Sequence, residues 1–171
     1  MAFFPCIYFS CLSQMGFCWD SRNYRKKSYK EQSDLILERS KNREHFYGLA
    51  IKMLTIAKVR GLRLIMENPW SMQTYLKSNF ILPPTMIDKD RSLRGDIFSK
   101  PTAYWYINCE PTNGYTIQKD KPNKRVLDCK KGINAGICSE ERSMISPDYA
   151  RNFICDFIIG REQIGTQLNL F

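Results

Sequence analysis

Two apolar runs that end in reactive side chains, with one long helical stretch between them, constrain this chain more than any other feature. Ala2-Phe3-Phe4 runs into Pro5-Cys6, and Leu62-Arg63-Leu64-Ile65-Met66 runs into Glu67-Asn68-Pro69. Each reads as a buried strand that closes on polar chemistry. Between them, Ser33-Asp34 is read as the cap of a helix running to about Arg60, and Gly61 as its stop. Leu35, Leu37, Phe46, Leu49, Ile51, Met53, Leu54 and Ile56 mostly suit one face of that helix. Strand, helix and strand make a crossover unit, and in open α/β sheets reactive groups gather at the carboxyl ends of the strands. A thiol and a carboxylate brought to one sheet edge predict a nucleophile and an acid working on the same substrate.

The chain has 171 residues, 43% of them hydrophobic, enough for one globular domain with its own core. Its 26 Lys and Arg against 17 Asp and Glu leave a net charge of +9, which favours an anionic partner, nucleic acid first. No apolar run is long enough to span a bilayer. Residues 1–18 are apolar and rich in Cys but lack a basic leader and a small-residue cleavage site, so they are read as core and active site. The seven cysteines, Cys6, Cys11, Cys18, Cys109, Cys129, Cys138 and Cys155, show no Cys-x-x-Cys, and His45 is the one histidine. Neither a zinc site nor a disulfide framework is expected, and most of the thiols are read as core fillers. Expected partners are therefore DNA, with no membrane and no metal, in a cytoplasmic setting.

Further along, Asp20 to Ser33 carries Arg22, Arg25, Lys26, Lys27 and Lys30, either a solvated linker or a phosphate-contacting loop near the thiol. Ser71 to Ser78 reads as a short helix, Pro83-Pro84 as a break, Thr85 to Asp88 and Ala103 to Asn108 as strands. Residues 110–141 are an irregular segment rich in Gly, Asn, Lys and Pro. Ser146 is the expected N-cap and Pro147 the first residue of a last helix to about Ile159, with Arg142-Ser143 before it as a phosphate contact or a plain turn. His45 is read as a surface or packing residue, Trp70 and Trp105 as core rather than base-stacking platforms.

The Pro5-Cys6 and Glu67-Asn68 pair resembles the DNA cytosine-5 methyltransferases, closest to their divergent phage- and plasmid-type members, in which Glu-Asn-Pro replaces Glu-Asn-Val. Here Phe4, not Pro, precedes Pro5, and Ile7-Tyr8-Phe9-Ser10, not Gln, follows Cys6. The resemblance implies an α/β fold: a partial Rossmann-like methyltransferase sheet in three α/β/α layers, with parallel core strands and room for an antiparallel C-terminal strand. It implies a single catalytic and C-terminal domain over 1–171, with 110–141 as the remnant of a target-recognition insertion. It assigns Cys6 as nucleophile on cytosine carbon 6 and Glu67 as partner of the base edge, with Asn68 and Pro69 beside the substrate. Arg91, Arg94 and Lys100, flanking Gly95, stand where the family has Gln-x-Arg-x-Arg, and Arg142 is a further substrate contact. The implied methyl donor is S-adenosylmethionine. No Gly-x-Gly turn precedes the nucleophile strand, so the expectation is a chain without its cofactor half, inactive alone: a truncated product, one half of a split enzyme that a complementing N-terminal methylase subunit would complete, or a degenerate remnant. The alternative is a non-catalytic basic module that binds DNA or a partner subunit.

Overall fold

A computed structural model of the chain describes residues 1–3, 6–9, 16–19, 21–22, 24–70, 75–118 and 144–160. They form two compact units: Met1–Asp90 with Lys100–Glu110, and Arg91–Ser99 with Pro111–Phe171.

The first unit is built on helix α1, Tyr29–Arg60, which starts earlier than Ser33-Asp34 suggests. Ser28 is the N-cap: Glu31 N–H donates to its Oγ at 3.3 Å, and Ser28 N–H donates to Glu31 Oε2 at 2.8 Å. That reciprocal box satisfies two donors that would otherwise face solvent. At the other end Gly61 takes φ 66°, a left-handed residue that stops the helix as expected. Asn108 Nδ2 then donates to the Ala57 carbonyl at 2.7 Å and to Leu62 O at 3.1 Å, tying the helix end to the strand that follows. The buried stripe is narrower than the sequence suggests. Gln32, Ala50, Leu54 and Ala57 are buried, whereas Leu37, Leu49, Ile56 and Val59 are exposed.

Strands β1 (Ala2–Phe3), β2 (Leu64–Pro69), β3 (Met86–Asp88) and β4 (Thr102–Ile107) form one sheet in the order β1-β2-β4-β3. β1 runs parallel to β2, with Ala2 opposite Met66 and Phe3 opposite Glu67. β4 is antiparallel to both its neighbours, pairing from Leu64↔Ile107 to Pro69↔Thr102 on one side and from Met86↔Tyr104 to Asp88↔Thr102 on the other. The partial Rossmann-like sheet with a parallel core in three layers is thus overturned: two parallel residue pairs stand against six and three antiparallel ones. The physical cause is β4. All six of its residues are buried, so it takes the centre of the sheet and separates the strands it reverses.

α1 packs on one face of this sheet. Ala50 shares one core cluster with Met66, Ala103 and Trp105, and Leu54 and Ala57 share another with Ile107, against which Leu64 packs. Trp105 sits at the centre, 1% exposed, its Nε1 donating to Leu82 O at 3.0 Å. Phe80 and Trp70 meet it edge-on at 5.4 and 6.1 Å, which makes both tryptophans part of the core. A short helix α2, Tyr75–Asn79, closes this side.

In the second unit, helix α3 (Pro147–Ile154) continues into a wider turn, Cys155–Ile159. Pro147 opens it and Ser146 takes the N-cap position, both as expected, but the Ser146 hydroxyl donates to Gly95 O at 2.7 Å rather than bonding the first turn. Tyr149, Phe153 and Phe157 form an aromatic ladder along its inner face, with ring centroids 6.0 and 5.4 Å apart. Asp156, with no exposed surface, accepts from Thr116 N–H at 2.8 Å and Thr116 Oγ1 at 2.9 Å, and its carbonyl accepts from Gly114 N–H at 2.8 Å. A Cβ on Gly114 would overlap the Asp156 backbone, so only glycine allows this approach.

Candidate functional site

The strand directions decide where the chemistry lies. β1, β2 and β3 point the same way, because β4 is antiparallel to both β2 and β3. Their carboxyl ends share one sheet edge with the start of β4. Pro69, Thr102 and Asp88 lie in register across that edge.

Cys6 leaves β1 towards this edge. It opens a 3-10 turn, Cys6–Tyr8, and its thiol is free and half-buried. The turn is anchored on three sides. Phe9 N–H donates to Cys6 O at 3.0 Å, Arg43 Nε donates to Tyr8 O at 2.8 Å, and Tyr75 N–H donates to Phe9 O at 2.9 Å. Tyr8 stacks on Phe46 of α1 at 5.3 Å, and Phe9 is buried in the core. Pro5 lies outside the described residues. Cys6 is three Cα–Cα steps on from Phe3, the register partner of Glu67, so Cys6 lies within about 16 Å of Glu67 even at full extension.

Glu67 and Asn68 belong to β2 itself, not to a turn beyond it, because the strand runs on to Pro69 rather than ending at Met66. Neighbouring strand residues face opposite ways. Asn68 lies opposite Ala103 on the face that packs against α1, the layer to which the Cys6 turn is anchored. Glu67 lies opposite Tyr104 on the other face, together with Thr102 and Asp88. Both are buried, at 6% and 1% exposure. Neither Oδ1 nor Nδ2 of Asn68 has a hydrogen-bond partner. An unpaired buried amide costs about 1–3 kcal/mol, and such a group calls for a cause: an ordered water or ion, strain, or a functional role.

The remaining candidates disperse. Lys100 stands half-buried before β4, its carbonyl accepting from Thr102 Oγ1 at 3.1 Å. Arg91 belongs to the second unit and is 2% exposed, ion-paired with Asp96 and laid over the Tyr149 ring at 4.4 Å. Arg94 lies over Phe157 at 4.9 Å with its Nε 4.0 Å from Asp156. Arg91 and Arg94 are thus engaged in that unit's interior rather than held out to solvent. Arg142 lies outside the described residues, as do 119–141 of the irregular segment and Cys11, Cys129 and Cys138. Cys18 is exposed, Cys109 and Cys155 half-buried, and all three are free. His45 is exposed, edge-on to Phe46. Arg22, Arg25, Lys26 and Lys27 are exposed in the turn before α1, and Lys30 is exposed in its first turn.

The implied cofactor finds no matching cradle. Among the described residues no glycine turn joins a strand directly to a helix. The acid that ends a strand, Asp88, spends its Oδ1 on Asp90 N–H at 3.3 Å. S-adenosylmethionine therefore does not fit the described residues. Among the same residues no three His, Cys, Asp or Glu side chains gather to hold a metal, and no helix is long and apolar enough to cross a membrane. Comparison with protein-family models, curated proteins and solved structures finds no match.

Proposed function

We propose that the chain is a DNA cytosine-5 methyltransferase-like protein in which Cys6 attacks a cytosine ring and Glu67 steadies the base. The observation that carries this reading is the parallel register of β1 and β2, in which Phe3, three positions before Cys6, lies opposite Glu67. The thiolate Sγ adds to ring carbon 6. A carbon–sulfur bond forms, the 5,6 double bond opens, and the electron pair moves into the ring, making carbon 5 nucleophilic. In its protonated form Glu67 would hydrogen-bond ring nitrogen 3 and offset the charge that builds there. The base must leave its stack to reach the thiol. The chain's own residues account for base capture alone; delivery of the methyl group is no part of the chemistry assigned to them.

The net charge of +9 and the exposed Arg22, Arg25, Lys26, Lys27 and Lys30 support nucleic acid as partner, and they equally support a basic module that binds without catalysis. One experiment separates the two. The full chain is incubated with a DNA strand carrying 2-pyrimidinone, a cytosine analogue without the amino group and more electrophilic at carbon 6. A covalent adduct by mass spectrometry, absent in Cys6→Ala, supports base capture. DNA binding without an adduct removes the catalytic reading and leaves the module.

A further inference from the structure

Arg39 and Arg43 lie one turn apart on α1, so their side chains rise from the same face. Arg43 Nε holds the Tyr8 carbonyl at 2.8 Å, in the turn that carries Cys6. Its Cζ lies 3.5 Å from the centre of the Phe17 ring and 4.6 Å from that of Tyr75. Arg39 Cζ stands 5.7 Å from the same Phe17 ring. Two like charges are gathered at one aromatic ring.

Among the described residues no carboxylate answers them. Arg39 Nε and Arg43 Nη2 are buried and have no hydrogen-bond partner, and among the described residues neither arginine makes an ion pair, although Glu38 and Glu44 are exposed on the same helix. The approach of the loop is tight. A Cβ on Gly16 would overlap the Arg39 guanidinium, and the Tyr24 hydroxyl holds the Gly16 carbonyl at 2.5 Å. Burial pulls the Arg43 pKa below its ordinary value; Tyr75 opposes this and the like charge of Arg39 adds to it. Arg39 Nε and Arg43 Nη2, buried and unpartnered on one helix face beside the same ring, are charged donors of the kind a phosphate oxygen accepts from.

We propose that Arg39 and Arg43 form a phosphate site that takes one phosphodiester of a nucleic-acid strand, next to the nucleotide engaged at Cys6. The link to Cys6 rests on the function proposed above; the phosphate contact does not. Tyr8 is two residues from Cys6, at most about 7 Å of chain, a span that one nucleotide bridges between its phosphate and its base. The exposed Arg22, Arg25, Lys26 and Lys27 precede the same helix and extend the positive potential outward.

The test is salt-dependent binding of a fluorescent single-stranded DNA to the full chain, followed between roughly 50 and 200 mM salt. Arg39→Gln is expected to keep the melting temperature, to weaken binding several-fold at low salt, and to make the log–log salt slope shallower by about 0.7, the loss of one phosphate contact. Arg39→Lys is expected to restore most of the slope. Arg43→Gln is expected to behave alike, but it also frees Tyr8, so the decision rests on the Arg39 variants. A folded Arg39→Gln with wild-type slope and affinity would overturn the proposal. Inorganic phosphate at constant ionic strength should displace the strand from the wild type better than from Arg39→Gln. If Arg39→Gln loses phosphate binding while its slope on DNA stays unchanged, the site holds a free anion and its assignment to nucleic acid falls. A shallower slope with no 2-pyrimidinone adduct would leave the phosphate site standing and sink base capture by Cys6; an adduct with an unchanged slope would do the reverse.

Discussion

Phe3 and Glu67 are register partners across the parallel pair β1 and β2, so the chain leaves β1 for the Cys6 turn level with Glu67. Glu67→Gln keeps the side-chain shape but removes the acid, so the fold should persist while the rate of Cys6 adduct formation with 2-pyrimidinone DNA falls about 10²-fold or more. Rates from quenched gels, with far-UV circular dichroism as the check on folding, decide it. An unchanged rate would show that Glu67 serves the sheet alone.

Trp105 holds the first core together. Trp105→Ala should lower unfolding free energy by about 3–5 kcal/mol, through the lost ring contacts with Phe80 and Trp70 and the cavity left behind. Trp105→Phe, which keeps a ring but leaves Leu82 O unpaired, should cost about 1–3 kcal/mol. Urea denaturation followed by circular dichroism ranks the two; equal costs would mean that the Nε1 bond matters more than the packing.

The start of α1 depends on Ser28 and Glu31. Ser28→Ala should cost about 1 kcal/mol. Glu31 is held below the ordinary carboxylate range, first by the Ser28 hydroxyl and then by the Ser28 backbone N–H. A lowered pKa gives stability that is present above the ordinary value and lost as pH falls through the folded one. Helix content near residue 28 should therefore decline on acidification, and amide exchange at Glu31 and Gln32 would report it. No change in exchange between neutral and acid pH would exclude the cap as the cause.

These elements also show how far the sequence could be read. Gly61, β4 and Pro147 were legible because a left-handed stop, a run of aromatic and β-branched residues and a first-turn proline each act locally. Ser33-Asp34 imitated a cap that Ser28 makes with Glu31, five residues before Ser33. Glu67 and Asn68 looked like loop residues but continue β2, because β4 pairs with the strand through to Pro69. The order of the strands was not legible, since Thr102–Ile107 could pair anywhere until its partners were known. Arg91 looked like a solvent-facing base and is neutralised by Asp96, five residues on. Arg39 and Arg43 drew no notice on a helix rich in charge, and only their shared ring and unpaired donors set them apart.

Tyr106 carries an alkaline limit. Its phenol is pushed well above its ordinary value, first by burial and then by the Cys109 charge. The folded chain keeps this proton longer than the unfolded chain, so stability is full below about pH 10 and falls as pH rises past it. Tyr106→Phe should flatten that fall in a melting series from neutral to alkaline pH; a drop of the same size in the variant would assign it to other groups.

Asp156 organises the second unit. Asp156→Ala should expose 111–118 to proteolysis and cost about 3 kcal/mol, because the Thr116 donors and Arg94 lose a fully buried carboxylate. Cleavage sites mapped by mass spectrometry would show it; protection equal to wild type would mean that the aromatic ladder suffices.

The insertion of β4 between β2 and β3 has a consequence for how this protein is made. A ribosome delivers β1, α1, β2 and β3 before the residues that must fill the gap between β2 and β3. For that interval both strands present unpaired backbone edges, and the growing chain is open to wrong partners, its own copies included. Sheet closure waits on residues 102–107, so synthesis that pauses before them should leave a sticky intermediate, while synthesis that runs through them lets the last strand seal the sheet.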